Sequence, residues 1–68
     1  MKNSEIQEKA EAERKEARRL AYEVKAARDI FDASNLQDWA AFERLSILAA
    51  LESLAISRWL VLLDQVNA

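Results

Sequence analysis

The sequence predicts an all-α protein, an antiparallel hairpin of two long helices that dimerises into a four-helix bundle. Glycine, proline, cysteine and histidine are absent from its 68 residues, so the residues that usually form sharp bends are missing. Alanine, glutamate, lysine, leucine and arginine supply 40 of the 68 residues, a composition typical of long helices and coiled coils. Apolar residues also recur every three and four positions along two segments. A chain of this length is expected to form one domain, residues 1–68.

The first helix is expected over about residues 4–32. Asn3 and Ser4 can each cap its N-terminus, and Ser4 followed by Gln7 three positions later has the pattern of a capping box. Because no helix-breaking residue follows for almost thirty positions, the helix is expected to be long and uninterrupted.

The turn is expected at residues 33–35. Ser34 and Gln37 repeat the spacing of a capping box and precede a strongly apolar stretch, so the second helix is expected over about residues 36–65. A connection this short joins two helices only as an antiparallel hairpin.

Each helix carries a continuous seam at alternating three-residue and four-residue spacing, which places its members on one face. In the first helix the seam is Ile6, Ala10, Glu13, Ala17, Leu20, Val24, Ala27 and Phe31. In the second helix it is Asp38, Ala41, Leu45, Leu48, Glu52, Ala55, Trp59, Leu62 and Val66. We expect the two seams to face each other in the closed hairpin.

The second helix carries more apolar surface than one neighbouring helix can cover, because two further stripes are wholly apolar. Burying one Leu, Ile or Phe side chain is worth roughly 1.5 to 3 kcal/mol over leaving it in water. We therefore expect two copies to pack their second helices together, with the charged first helices outside. The alternative is that a different protein docks on these stripes. The expected dimer-interface residues are Ala40, Phe42, Ile47, Ala49, Leu54, Ile56, Val61 and Leu63.

Glu13 and Glu52 are the two glutamates on the otherwise apolar seams. They could form a carboxylate metal site, but carboxylate sites in four-helix bundles are completed by histidines, which this chain lacks. The favoured interpretation is a polar layer that fixes the register, in which each acid meets an arginine such as Arg14 or Arg18. We expect no metal and no cofactor.

A basic stripe with one tyrosine in its gap runs along the first helix, and a tryptophan follows the turn. Tyrosine, tryptophan and arginine are enriched among the residues that dominate protein interfaces. The same stripe could grip the phosphates of RNA or DNA, but the net charge of −2 makes a solvated flank or a protein partner the better interpretation. The expected partner-binding residues are Arg14, Arg18, Tyr22, Lys25, Arg28 and Trp39.

The composition disfavours most enzyme classes, and we expect a cytoplasmic location by default. Without cysteine or histidine there is no disulfide, no common zinc site and no Ser/His relay. Residues 1–16 are charged and lack the apolar core of a secretory signal. Residues 45–63 are apolar enough to suggest a membrane span, but the central Glu52 makes insertion costly, so no membrane partner is expected.

In layout the chain resembles the small plasmid-encoded Rop family, which are dimeric helical hairpins that bind RNA duplexes. It is also similar in size and style to small phage or mobile-element inhibitors, such as anti-activators and anti-CRISPR proteins. Both likenesses are of length and architecture, with no shared motif, so no functional position is transferred. The sequence therefore predicts a small regulator or inhibitor that sequesters a larger protein, with a Rop-like nucleic-acid-binding dimer as the alternative.

Overall fold

The computed structural model describes residues 2–67, with side chains from residue 4 onward. Helix α1 spans Lys2–Ala33 and helix α2 spans Trp39–Asn67. The two helices pack along their lengths as a hairpin, which forms a rod of 51 × 13 × 13 Å between Cα atoms. The predicted all-helical hairpin is confirmed.

Helix α1 begins two residues earlier than expected. Because Lys2 is already helical, Ser4 lies inside the first turn, and its assignment as the N-cap is wrong. The side chain of Asn3, the other expected cap, lies outside the described residues. Nothing in the first few residues opposes helix formation, and helix ends commonly differ from expectation by one or two positions.

Helix α1 ends in a Schellman motif that closes without glycine. The backbone N–H of Leu36 donates to the carbonyl oxygen of Phe31 at 3.2 Å, and that of Asn35 donates to the carbonyl oxygen of Asp32 at 3.0 Å. Asn35 occupies the left-handed position of this motif, with φ of 62°. Asparagine tolerates that conformation better than other non-glycine residues, which explains its place in a chain that has no glycine.

Helix α2 begins at Trp39, three residues later than expected, because Ser34 does not cap it directly. The Ser34 hydroxyl accepts the N–H groups of Gln37 at 3.3 Å and Asp38 at 2.9 Å, and so holds the turn together. Asp38 is the true N-cap, since its Oδ1 accepts the N–H of Ala41 at 3.1 Å. Ser34 and Asp38 are two successive capping residues. Asn35 and Leu36 lie between them in left-handed backbone conformations, so the helix starts after Asp38 and not after Ser34.

The most deeply buried positions between the helices are occupied mainly by small side chains. Every residue of the two predicted seams is buried or half-buried, so the seam prediction is confirmed. Five of the eight buried residues among residues 4–67 are alanines, and no large side chain in this range is completely enclosed. Small side chains let helices approach closely but bury little apolar area per contact. The buried residues are Ala10, Ala17, Leu20, Val24, Ala27, Ala41, Leu48 and Ala55.

Leu36 carries a backbone cost that a glycine would remove. Its φ is 63°, in the left-handed region that disfavours residues with a Cβ atom, and its side chain is exposed. We expect Leu36→Gly to unfold with a free energy about 1 kcal/mol higher than Leu36→Ala, which removes the same exposed side chain but keeps the Cβ. Chemical denaturation at one protein concentration measures the difference. Equal stability of the two variants would contradict the assignment of strain to this position.

Candidate functional site

Many of the large apolar side chains of α2 lie on the outside of the hairpin. Eight of them are between 38% and 68% exposed, while five of the eight buried residues among those described are alanines. Contiguous exposed apolar surface of this kind marks an interaction site in a soluble protein. These eight residues are Trp39, Phe42, Ile47, Leu51, Leu54, Ile56, Leu60 and Val61.

The residues predicted for the dimer interface form two stripes that differ in exposure. One stripe is Phe42, Ala49, Ile56 and Leu63, which adjoins the seam, and Leu63 is half-buried. The other stripe, with Leu51 beside it, is here called the distal face and consists of Ala40, Ile47, Leu51, Leu54 and Val61. On the distal face Ile47, Leu54 and Val61 are each 55% or 56% exposed. Ile47, Leu54 and Val61 of the distal face are therefore less covered by their own hairpin than Phe42 and Ile56 of the other stripe.

Two shallow grooves flank the distal face, one towards each end of α2. The first has a volume of about 360 Å³ and the second about 350 Å³. Both are wide open and mostly apolar, which suits them to accept side chains of another protein surface. The first is lined by Ala40, Glu43, Arg44, Ile47 and Leu48. The second is lined by Glu13, Ser57, Arg58, Val61 and Leu62.

Glu13 makes the only ion pair between the two helices within the described residues, and its partner is Arg58. The Oε2 atom of Glu13 lies 3.1 Å from Nε of Arg58, and the Glu13 side chain is 26% exposed. The expected partners Arg14 and Arg18 were wrong for Glu13, because residues one and five positions further along the same helix point to different sides. Arg58 directly precedes Trp59, a residue of the α2 seam. This position of an arginine beside the seam of the opposite helix is the sequence signal that would have identified the pair.

Glu52 lies half-buried on the α2 seam and has no ion-pair partner within 4.0 Å among residues 4–67. It lies six residues from Arg58, or about 9 Å along the helix axis, too far to share the Glu13 pair. Within the same residues there is no group of three acidic side chains able to hold a metal ion. The polar layer is therefore split, with one acid paired and one unpaired.

The basic stripe of α1 is partly neutralised by neighbouring acids. Arg14 donates to Glu11 through Nε and Nη2 at 3.0 and 2.6 Å, and this side-chain hydrogen bond lowers the pKa of Glu11. Lys25 lies 4.0 Å from Asp29. On the other flank of the helix Arg19 pairs with both Glu16 and Glu23, and its hydrogen bond to Glu16 lowers the pKa of Glu16. All of these pairs are exposed and weak.

Arg18, Tyr22 and Arg28 are the predicted partner-binding residues on α1 that remain available. Neither arginine has a carboxylate within 4.0 Å in the described part of the chain, and Tyr22 is 66% exposed. They lie on one face of α1, since their spacings of four and six residues keep them within about a third of the helix circumference. This face presents two free cations around one aromatic ring.

Trp39 belongs to an aromatic cluster at the turn end of the hairpin. Its ring centroid is 6.2 Å from that of Phe31 and 5.7 Å from that of Phe42, in tilted and edge-to-face arrangements. Trp39 is nevertheless 68% exposed. The side chain therefore packs on the end of the hairpin and still presents most of its surface to a partner.

Helix α2 is long and apolar enough to cross a membrane by length and composition alone. The core helix of a soluble protein passes the same test.

Comparison of the chain with protein-family models, curated proteins and solved structures finds no match.

Removing the unpaired carboxylate from the seam should stabilise the protein. We expect Glu52→Leu to raise the free energy of unfolding by about 1 kcal/mol, because a half-buried charge without a partner is replaced by apolar packing. Thermal unfolding at fixed protein concentration measures the change. The matched variant Glu13→Leu should gain less, since it leaves Arg58 without its carboxylate. A fall of several degrees for Glu52→Leu would contradict this interpretation.

Proposed function

We propose that this protein is a non-enzymatic, homodimeric helical module that binds a larger protein and regulates or inhibits it by sequestration. One observation carries the proposal: eight large apolar side chains of α2 are exposed, while five of the eight buried residues in the described part of the chain are alanines. A soluble two-helix unit has no means of its own to cover those side chains. Association with other protein surface supplies the missing cover.

The exposed area supports self-association. A compact monomer of this mass exposes about 4,400 Å² by the general scaling of surface with mass. This hairpin exposes 5205 Å², and the excess of about 800 Å² equals what one partner buries in a standard protein interface. A second copy of α2 matches the exposed surface in length and apolarity. Packing α2 against α2 gives a four-helix bundle with both α1 helices outside.

The exterior of that dimer supports binding of a second protein. Helix α1 would stay at the surface, because the flanks of its seam are charged. Arg18, Tyr22 and Arg28 combine exposed cations with an aromatic ring, the residue types that dominate protein interfaces. Neutralisation of Arg14 and of Lys25 by adjacent acids weakens the alternative of a nucleic-acid-binding stripe. We propose a cytoplasmic location, since Glu52 and the Glu13–Arg58 pair lie along the middle of the hairpin and oppose insertion in lipid.

Sedimentation tests self-association. We expect the wild-type chain to sediment as a dimer at micromolar concentration. Leu54→Lys should weaken the dimer more than tenfold, because it places a charge in the apolar centre of the distal face. Ser53→Lys is the matched control, one residue away on the polar side of α2, and should remain dimeric. A folded wild-type monomer at these concentrations would contradict the proposal.

Neighbouring arginines test partner binding. We expect Arg18→Ala and Tyr22→Ala to lose most of the protein captured from a cell extract, while sedimentation shows intact dimers. Arg19→Ala is the control, because Arg19 is engaged by Glu16 and Glu23 on the other flank. Equal capture by Arg18→Ala and Arg19→Ala would exclude this face. Salt-sensitive capture of RNA or DNA in place of protein would favour the Rop-like alternative.

A further inference from the structure

We infer that the turn end of the hairpin is a docking site for a basic amphipathic segment of a partner protein, with a cationic side chain of that segment placed over Trp39 and against Asp32. This inference deepens the proposed function and rests on it in one respect, that the chain binds another protein. It does not require the dimer.

Three aromatic rings and a leucine lie together at the turn end. The ring centroids of Phe31, Trp39 and Phe42 are between 5.3 and 6.2 Å from one another. The backbone N–H of Leu36 donates to the carbonyl oxygen of Phe31, which holds Leu36 next to this cluster. Leu36, Trp39 and Phe42 are all exposed. The four residues are here called the turn-end patch, and they leave an aromatic-rich apolar surface in water.

Packing of α2 on α2 through the distal face is directed away from the turn-end patch. Phe42 lies five residues before Ile47 of the distal face, which places it about 140° around the helix axis. Leu36 precedes α2 and belongs to the turn. The patch therefore needs an occupant of its own, in a single hairpin and in the proposed dimer alike.

Negative charge is concentrated around the turn-end patch. Residues 28–43 contain one basic and four acidic residues, a net charge of −3, while the rest of the chain contains nine basic and eight acidic residues, a net charge of +1. Each of the three aromatic rings has an acidic residue as a direct neighbour in sequence. None of these three acids has a cation within 4.0 Å among residues 4–67. They are Asp32, Asp38 and Glu43.

Asp32 is placed against the ordinary preference of a helix end. It lies in the last turn of α1, which contains no basic residue. The carbonyl end of a helix carries partial negative charge, so a carboxylate there adds to that charge and a cation would offset it. Asp38 is accounted for by its role as the cap of α2, but Asp32 has no such role. A cation supplied by a partner relieves the repulsion at Asp32.

The charge around the patch selects its occupant. The patch of a second copy would bring the same net charge of −3, and nucleic acid or anionic lipid would be repelled in the same way. A lysine or arginine side chain is attracted both by the carboxylates and by the face of a tryptophan ring. Apolar side chains of the same segment cover Leu36 and Phe42. A basic amphipathic helix carries both kinds of group.

Two synthetic peptides test this inference, an amphipathic helix of leucine and lysine and the same sequence with glutamate in place of each lysine. We expect the wild-type chain to bind the lysine peptide at least about tenfold more tightly than the glutamate peptide in a fluorescence anisotropy titration at low salt. Trp39→Ala should weaken binding of the lysine peptide by about tenfold, because it removes the largest exposed side chain of the patch.

Asp32→Asn separates binding from stability. We expect it to weaken the lysine peptide about fivefold without lowering the melting temperature, because the lost carboxylate opposes the dipole of α1. Asp64→Asn is the matched control, since Asp64 is an exposed acid in the last turn of α2, at the other end of the rod. It should leave peptide binding unchanged. Equal binding by Asp32→Asn and Asp64→Asn would overturn the role of Asp32.

The remaining outcomes also decide the inference. Equal affinities for the two peptides would overturn the basic chemistry of the partner. Equal binding of the lysine peptide by the wild-type chain and Trp39→Ala would overturn the turn end as its site. Binding to vesicles of zwitterionic phosphatidylcholine that is lost in Trp39→Ala, with no binding of the lysine peptide, would assign the patch to a neutral membrane and overturn the inference.

Failure of this inference and failure of the proposed function are distinguishable. Arg18→Ala changes the α1 face and should bind the lysine peptide as the wild-type chain does. A wild-type chain that sediments as a monomer would overturn the proposed dimer and leave the turn-end site standing. Loss of peptide binding with intact dimers and intact capture of protein from extract would overturn the turn-end site alone.

Discussion

The rest of the structure depends on a contrast in side-chain size between the inside and the outside of the hairpin. Five of the eight buried residues in the described part of the chain are alanines, so the most deeply covered positions between the helices remove little apolar area from water. Eight large apolar side chains of α2, among them Trp39, Phe42 and Leu54, remain exposed. The hairpin is a single layer of two helices that forms a rod 51 Å long. It therefore has no second layer that could bury the exposed apolar side chains of α2.

The turn binds the last carbonyl groups of α1 without a glycine. The last carbonyl groups of α1 must find donors, and the usual solution uses a glycine in the left-handed conformation. Here Asn35 takes that position, and Leu36 follows it in the same conformation at some cost. Ser34 and Asp38 then supply two successive side-chain acceptors, so the backbone donors between the helices are bound and the direction of α2 is set.

Charge has different roles at different depths in this molecule. The pairs on the α1 surface are exposed and contribute little to stability, but they reduce the positive potential of that face. The Glu13–Arg58 pair lies at the edge of the seam and ties the two helices together at one level. Glu13 also lines one of the two grooves that flank the distal face.

The sequence by itself determined the two helices, the faces that meet and the excess of apolar side chains on α2. These follow from the period of 3.6 residues per turn, which assigns each residue to a face without knowledge of its neighbours. Only the tertiary structure decided that Asp38 caps α2 and that the helix begins at Trp39. It also decided that Glu13 pairs with Arg58, and that the distal face is less covered than the stripe of Phe42 and Ile56. Each of these three findings depends on the path of the turn and on which side chains of one helix reach the other. The spacing of residues within a single helix does not determine distances between two helices.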